Sequence, residues 1–169
     1  MTETTASQFI KDKLATLNQF PILESDCIRL RGIEENDIER LYTLFSNPQV
    51  MRYWSRGPMT NRQEAIDYAN TIIEGFATRN VLNWIIADLE SDQMIGTCTL
   101  YEINPQHARA GLGYALMPEY WGKGLAHEAA SLAISYGCLE LGLRRIEADP
   151  EANNLRSNKV LERFGFQRE

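Results

Sequence analysis

The sequence predicts an α/β protein built on a mixed, mostly antiparallel sheet, and three observations carry that expectation. First, three strand-like segments follow one another closely, NWIIADL, MIGTCTLYEI and RAGLGYALM, joined by the short turn-rich links ESDQ and NPQHA. Links of that length and composition join antiparallel neighbours. Second, segments with apolar residues at helical intervals flank this meander on both sides. Third, a long helical pattern after Gly124 separates RAGLGYALM from a further strand, RRIEAD. Two strands joined through a crossover helix lie parallel in one sheet.

Taken in order, residues 1–22 are polar apart from Ile10, Leu14 and Leu17, and read as an N-terminal extension with a short amphipathic pattern. The domain is expected over 23–169. It opens on a strand in CIRLRGI, then a helix in ENDIERLYTLFSNP, with Asn36 or Asp37 as its cap and Ile38, Leu41, Tyr42 and Phe45 on one face. A second helix follows in MTNRQEAIDYANTIIEGF, where Thr60 and Gln63 have capping-box spacing and Ala65, Ile66, Ala69, Ile72, Ile73 and Phe76 share a face. After the meander comes the helix whose stripe is Ala126, Ala129, Ala130, Ala133, Ile134, Gly137, Cys138 and Leu141. Small residues on such a stripe let a helix lie close to a sheet. NNLRSNKVLERF closes the chain as a helix with Val160, Leu161 and Phe164 inward and Gly165 as its stop. The expected order is β-α-α-β-β-β-α-β-α.

Composition bounds what such a fold does. A chain of 169 residues, 44% apolar and 24% charged, is one ordinary globular domain that buries about 70% of its unfolded surface. No apolar run reaches the length of a membrane span, and the acidic, polar N-terminus lacks a secretory pattern, so the expected location is cytoplasmic. Cys27, Cys98 and Cys138 are widely spaced in apolar surroundings and read as reduced core residues. With only two histidines, no metal-ligand spacing is recognisable, and no metal is expected. The net charge of −6 argues against nucleic acid, which needs a basic stripe, and suits a cationic partner better.

The stretch EYWGKGLAHEAA runs a glycine-punctuated turn into a good helix. Unpaired amides at a helix N-terminus receive anions, usually phosphates. Gly122 and Gly124 can adopt positive φ there, and Lys123 adds charge at the rim. A tight connection without a ligand is the alternative. A nucleotide P-loop is excluded, because GK is followed by Gly124 rather than Ser or Thr. The dinucleotide fingerprint fails as well: His127 holds its third glycine position, and no second βαβ half follows.

GYALMPEYWGKGLAHEAA followed by RRIEADPEANNLRSNKVLERFGF resembles the acetyl-CoA-binding half of the GNAT acyltransferases, in particular the branch that acetylates N-termini of ribosomal proteins. The resemblance runs from about Cys27 to the last residue and is most specific in Gly122, Gly124 and Ala126 combined with Asn154, Ser157 and the closing Gly165 and Phe166. It implies helices on both faces of the sheet and a splayed parallel strand pair. It implies acetyl-CoA (coenzyme A), its pyrophosphate held by amides from Trp121 through Gly122, Lys123, Gly124 and Leu125 to Ala126. The strand end at Leu116 and Met117 would pair with the pantetheine arm, and a backbone N–H there would serve the oxyanion.

Family departures shape the catalytic expectation. The family's usual tyrosine, seven residues after the asparagine, is replaced by Leu161, which leaves Ser157 as the candidate hydroxyl for the departing thiolate. Asn154 is expected to bind the pantetheine or a water, and helix capping is the alternative for both residues. Where many relatives carry a glutamate this chain has Gly111, so Glu102 is the remaining candidate base, with a chain of waters as its rival. Tyr42, Trp54 and Tyr101 are candidates for an acceptor groove. The function implied is an N-acetyltransferase acting on a primary amine, either a peptide N-terminus or a small molecule. The alternative is a weakly active acetyl-CoA-binding sensor or scaffold. The chain stops at FGFQRE where the family continues into further strands, so C-terminal strands are expected to be missing and the open edge to favour a homodimer.

Overall fold

A computed structural model describes residues 2–169. Its elements are α1 (Glu3–Ala15), β1 (Leu23–Glu24), β2 (Ile28–Arg31), α2 (Ile38–Ser46), α3 (Pro48–Met51), α4 (Arg62–Ala77), β3 (Leu82–Asp88), β4 (Met94–Asn104), β5 (Arg109–Leu116), α5 (Leu125–Ser135), β6 (Arg145–Glu147) and α6 (Leu155–Arg163). The six strands form one sheet in chain order, antiparallel from β1 to β5, with β6 parallel to β5. This is the expected mixed, mostly antiparallel sheet.

Alternation along the strands divides the core in two. Leu82, Trp84 and Ile86 of β3 join Cys98, Leu100, Leu112 and Leu116 in a cluster with Ala129, Ala130 and Ala133 of α5. Ile85, Ala115 and Met117 face the other way, against Leu41, Leu44 and Phe45 of α2 and Ala65 and Ala69 of α4. Helices therefore cover both faces, each fed by every second residue of a strand. Residues 1–22, set apart in the sequence reading as an extension, contain a helix that belongs to the first cluster. Ile10 is fully buried and Leu14 nearly so, and the Arg79 guanidinium donates to the carbonyls of Leu14 and Leu17.

Three local expectations are corrected. The cap of α2 is neither Asn36 nor Asp37 acting on its first turn. Glu34 and Asp37 form a capping box around a short 3-10 turn, and the Asp37 carboxylate accepts two bonds from the buried Arg31 guanidinium, at 2.8 and 2.9 Å. A buried charge needs that partner more than a helix needs the cap. The box of α4 lies one residue later than Thr60 and Gln63, at Asn61 and Glu64, and Ile73 on its expected inner face is 57% exposed. Finally, Cys98 is buried and Cys138 half-buried, but Cys27 is exposed just before β2. Burial pushes the Cys98 thiol up to about 12, which leaves it an inert apolar filler.

The strand pair β5 and β6 is short on one side. It pairs only Arg109 with Arg145, Ala110 with Ile146 and Gly111 with Glu147, whereas β5 runs on to Leu116. Beyond Gly111 the edge of β5 has no strand beside it among the described residues. The chain from β6 leaves through Pro150 into α6, and a cleft opens between β5 and α6.

Candidate acetyl-CoA site

The floor of the cleft is the free edge of β5. Met117 N–H donates to Ile95 O at 3.0 Å, across to β4. Alternate residues of an antiparallel strand point their backbone groups to opposite sides, so Leu116 and Tyr114 turn theirs toward the cleft. The indole N–H of Trp121 donates to the Leu116 carbonyl at 2.8 Å, so the Leu116 N–H remains as a donor near the strand end. Met117 is 2% exposed and packs in the second core cluster. Of the two residues expected at the thioester, the structure brings Leu116 to the cleft and turns Met117 away from it.

At one end of the cleft the chain makes the glycine turn. Pro118–Tyr120 is a 3-10 turn in which Trp121 N–H donates to Pro118 O. The next six amides, from Gly122 to His127, find no backbone acceptor among the described residues; the first helical bond of α5 is Glu128 N–H to Gly124 O. Gly122 has φ 75° and Gly124 φ 78°, and a Cβ at either would meet nothing within 4 Å. These glycines are required by the left-handed backbone, and the space over them is open. The cup thus starts one residue later than expected and extends to His127, because the Trp121 amide is consumed by the turn before it.

Trp121 still contributes, through its ring. The Arg156 guanidinium of α6 lies 4.0 Å from the ring centroid, and Trp121, Arg156, Leu116, Ala126, Asn154 and Ser157 line one stretch of the cleft. Lys123 sits over the Tyr120 ring, 5.5 Å away. A row of free amides at a helix N-terminus flanked by two cations is the donor set that a diphosphate needs. The residues present fit coenzyme A.

The second stretch of the cleft lies beyond Tyr114 and is lined by Tyr53, Trp54, Tyr101, Gly113, Asp149 and Glu151 among others. Tyr53, Trp54, Tyr114, Asn154 and Ser157 line both stretches, which makes their meeting point the junction of the two. Asn154 is the N-cap of α6, its Oδ1 accepting from Ser157 N–H at 3.2 Å. The capping role foreseen as its alternative is thus filled. Ser157 Oγ lies 2.9 Å from the Tyr114 hydroxyl, a partner that the sequence reading did not single out.

Other expected residues fall elsewhere. Glu102 is exposed, has φ 49° at a bulge in β4, and lines neither stretch of the cleft. Tyr42 packs against the second core cluster, whereas Trp54 and Tyr101 do line the cleft. Gly111 has a structural reason: a Cβ there would lie 2.3 Å from the ring of Tyr101, its cross-strand neighbour. The tyrosine ring occupies the place that any side chain at position 111 would need. Burial first, then the charges of Asp149, Glu102 and Glu147, raises the Tyr101 phenol above its ordinary value. Among the described residues, no three His, Cys, Asp or Glu side chains converge to hold a metal ion, and no helix is long and apolar enough to cross a membrane.

The family model for the acetyltransferase (GNAT) domain matches residues 28–167. The chain belongs to the GNAT acetyltransferase family. Among the relatives of this acetyltransferase is the uncharacterized N-acetyltransferase YoaA of Bacillus subtilis (strain 168), 37% identical over 150 residues that cover 89% of this chain and 85% of the relative. A spermidine N-acetyltransferase from Vibrio cholerae, solved in complex with CoA and spermine, superposes with a TM-score of 0.74 at 27% identity, covering 84% of this chain and 82% of the other. RimL, a ribosomal L7/L12 alpha-N-protein acetyltransferase solved with coenzyme A, shares the fold with a TM-score of 0.80 at 21% identity, over 88% of this chain and 85% of the other. GNAT acetyltransferases take their acetyl group from acetyl-CoA, and this chain is an acetyl-CoA-dependent acetyltransferase.

Proposed function

We propose that this acetyltransferase moves the acetyl group of acetyl-CoA directly onto a primary amine at the junction of the two cleft stretches. The observation that carries the reading is the run of six unpaired amides from Gly122 to His127, which opens onto the free edge of β5. Bound there, acetyl-CoA supplies an activated acyl carbon and a thiolate leaving group. The amides, with Lys123 and Arg156 beside them, hold the diphosphate. Leu116 N–H faces the oxygen that gains negative charge as the amine attacks. Ser157 Oγ donates a proton to the departing sulfur, whose thiol, like that of cysteine, has a pKa near about 8.5 and needs only a modest donor. Asn154 fixes the first turn of α6 and through it the Ser157 backbone.

The acceptor arrives from the stretch lined by Tyr53, Trp54 and Tyr101, with Asp149 and Glu151 on its rim. Aromatic faces beside carboxylates favour a cation, so the acceptor is an amine charged in solution that sheds a proton on binding. Glu102, outside this lining, leaves that proton to water. Spermine in the Vibrio cholerae complex and the protein N-terminus named for RimL are both amines of this kind, and the acidic rim favours the polyamine class. The setting we assign is the cytoplasm, which suits three unpaired cysteines. A homodimer across the outer edge of β6 belongs to the same proposal, and sedimentation at micromolar concentration checks it: a monomer dismisses the dimer.

The test is release of free thiol from acetyl-CoA against spermidine, spermine and a set of N-terminal peptides, with the acetylated amine identified by mass spectrometry. Turnover with at least one amine is expected. Thermal stabilisation by acetyl-CoA with no turnover of any acceptor would establish the sensor alternative instead.

A further inference from the structure

We propose that Tyr114 is a positioning residue for the leaving-group step, acting through Ser157: its phenol donates to Ser157 Oγ, and so directs the serine proton at the departing sulfur. This rests on the transferase reading and adds to it a residue on β5.

The contacts leave two directions open for the chain of bonds, because either hydroxyl can be the donor between Tyr114 and Ser157 and the phenol can also donate to the Ser157 carbonyl. The Tyr114 oxygen is 2.9 Å from Ser157 Oγ and 3.3 Å from the Ser157 carbonyl. The carbonyl can only accept, and a hydroxyl has one proton to give. When the phenol gives its proton to Oγ, the shorter of the two contacts, the serine proton is free to point into the cleft. When the serine instead donates to the phenol, its proton points away from any ligand. Only the first arrangement serves the reaction. Both residues line both stretches of the cleft, so the pair sits where the acyl donor and the acceptor meet. Burial, partly offset by the bond to Ser157, raises the Tyr114 phenol above its ordinary value and keeps it protonated at neutral pH.

The proton balance closes. The amine nitrogen bonds to the thioester carbon and the carbon–sulfur bond breaks, its electron pair leaving on sulfur. Sulfur takes the Ser157 proton as Oγ takes the Tyr114 proton. In the same step the phenol regains a proton through water from the acylated nitrogen, so that no phenolate is left in the buried site and the products are an amide and a thiol.

The experiment measures single-turnover acetyl transfer by the full chain carrying Tyr114→Phe, Ser157→Ala, or both, with the melting temperature and the Kd for coenzyme A of each variant. Removing a positioned proton donor costs about 10²-fold. The expectation is a loss of that order for Ser157→Ala, a loss of at least about tenfold for Tyr114→Phe, and less than a further twofold when Tyr114→Phe is added to Ser157→Ala. Coenzyme A affinity stays within about twofold throughout, which a merely structural loss would not allow. Tyr114→Phe at the wild-type rate, or an equal loss in both backgrounds, overturns the inference and leaves the transferase standing. A wild-type chain inactive toward every amine overturns the transferase reading, and this inference with it.

Discussion

Replacing Gly124 by alanine separates what the glycine turn does for the fold from what it does for the ligand. Gly124 has φ 78°, and an added Cβ would meet nothing within 4 Å, so the fold loses only the cost of holding an L-residue in the left-handed region, about 1–2 kcal/mol. For a chain of this length that lowers the melting temperature by about 2–8 °C. Gly165, just past the end of α6, is a matched control, with φ 81° and equally empty surroundings but no place in the amide cup. Gly165→Ala should therefore cost the same stability. The two variants part company over the cofactor. A methyl group at position 124 stands in the open space above the amides, and displacing one charged phosphate from its N–H donor costs about 1.5–3 kcal/mol, or about 10- to 100-fold in affinity. Isothermal titration with coenzyme A, read beside thermal melts of both variants, decides the matter. If Gly124→Ala melts like Gly165→Ala and binds coenzyme A like the wild type, the diphosphate does not sit on these amides.

Three further outcomes follow from other parts of the structure. Gly111→Ala drives a methyl group into the Tyr101 ring and should cost about 1–3 kcal/mol by urea denaturation, most of it recovered in the double variant with Tyr101→Ala; a cost below about 0.5 kcal/mol would mean that the ring does not cover Gly111. Arg156→Ala should weaken coenzyme A by about tenfold and flatten the salt dependence of its binding, whereas unchanged affinity in low salt would remove Arg156 from the phosphate site. The N–H of Thr60 first, and that of Asn61 with it, holds the Glu64 carboxyl below its ordinary value. A carboxyl depressed in the folded state adds stability above its unfolded pKa of about 4.3 and loses it as pH falls through the lower folded value. Glu64→Gln should accordingly flatten the acid limb of the stability profile, and an unaltered limb would contradict the capping box.

Much of this architecture is legible in the sequence because its signals are local. The alternation of β3, the turn residues before β4 and β5, the small-residue stripe of α5 and the glycines at 122 and 124 each act within a few residues of chain. Local signals blur where two neighbours compete for one job. Thr60 and Asn61 both make acceptable caps, and the structure chooses Asn61 because Glu64 then closes the box. They fail where a distant partner claims a side chain, as Arg31 claims Asp37. Glu102 illustrates the same limit at the site. Nothing near it in sequence reveals that a bulge in β4 turns it outward, because the bulge is a property of how β4 registers on β5.

The sequence by itself therefore determined the order of the longer elements from β2 to α6, though not α1, β1 or the short α3, together with the backbone-bare turn and the family resemblance, since periodicity, glycine and motif spacing are written along the chain. Only the tertiary structure decided which groups meet: Tyr114 against Ser157, 43 residues apart, Tyr101 over Gly111 across a strand pair, the Trp121 indole on the Leu116 carbonyl, and α1 within the core. The reason is physical. Strand register and the parallel crossover bring remote residues to one point, and a shift of one position would turn every side chain of a strand to the opposite face, so these meetings leave no trace in any short stretch of sequence.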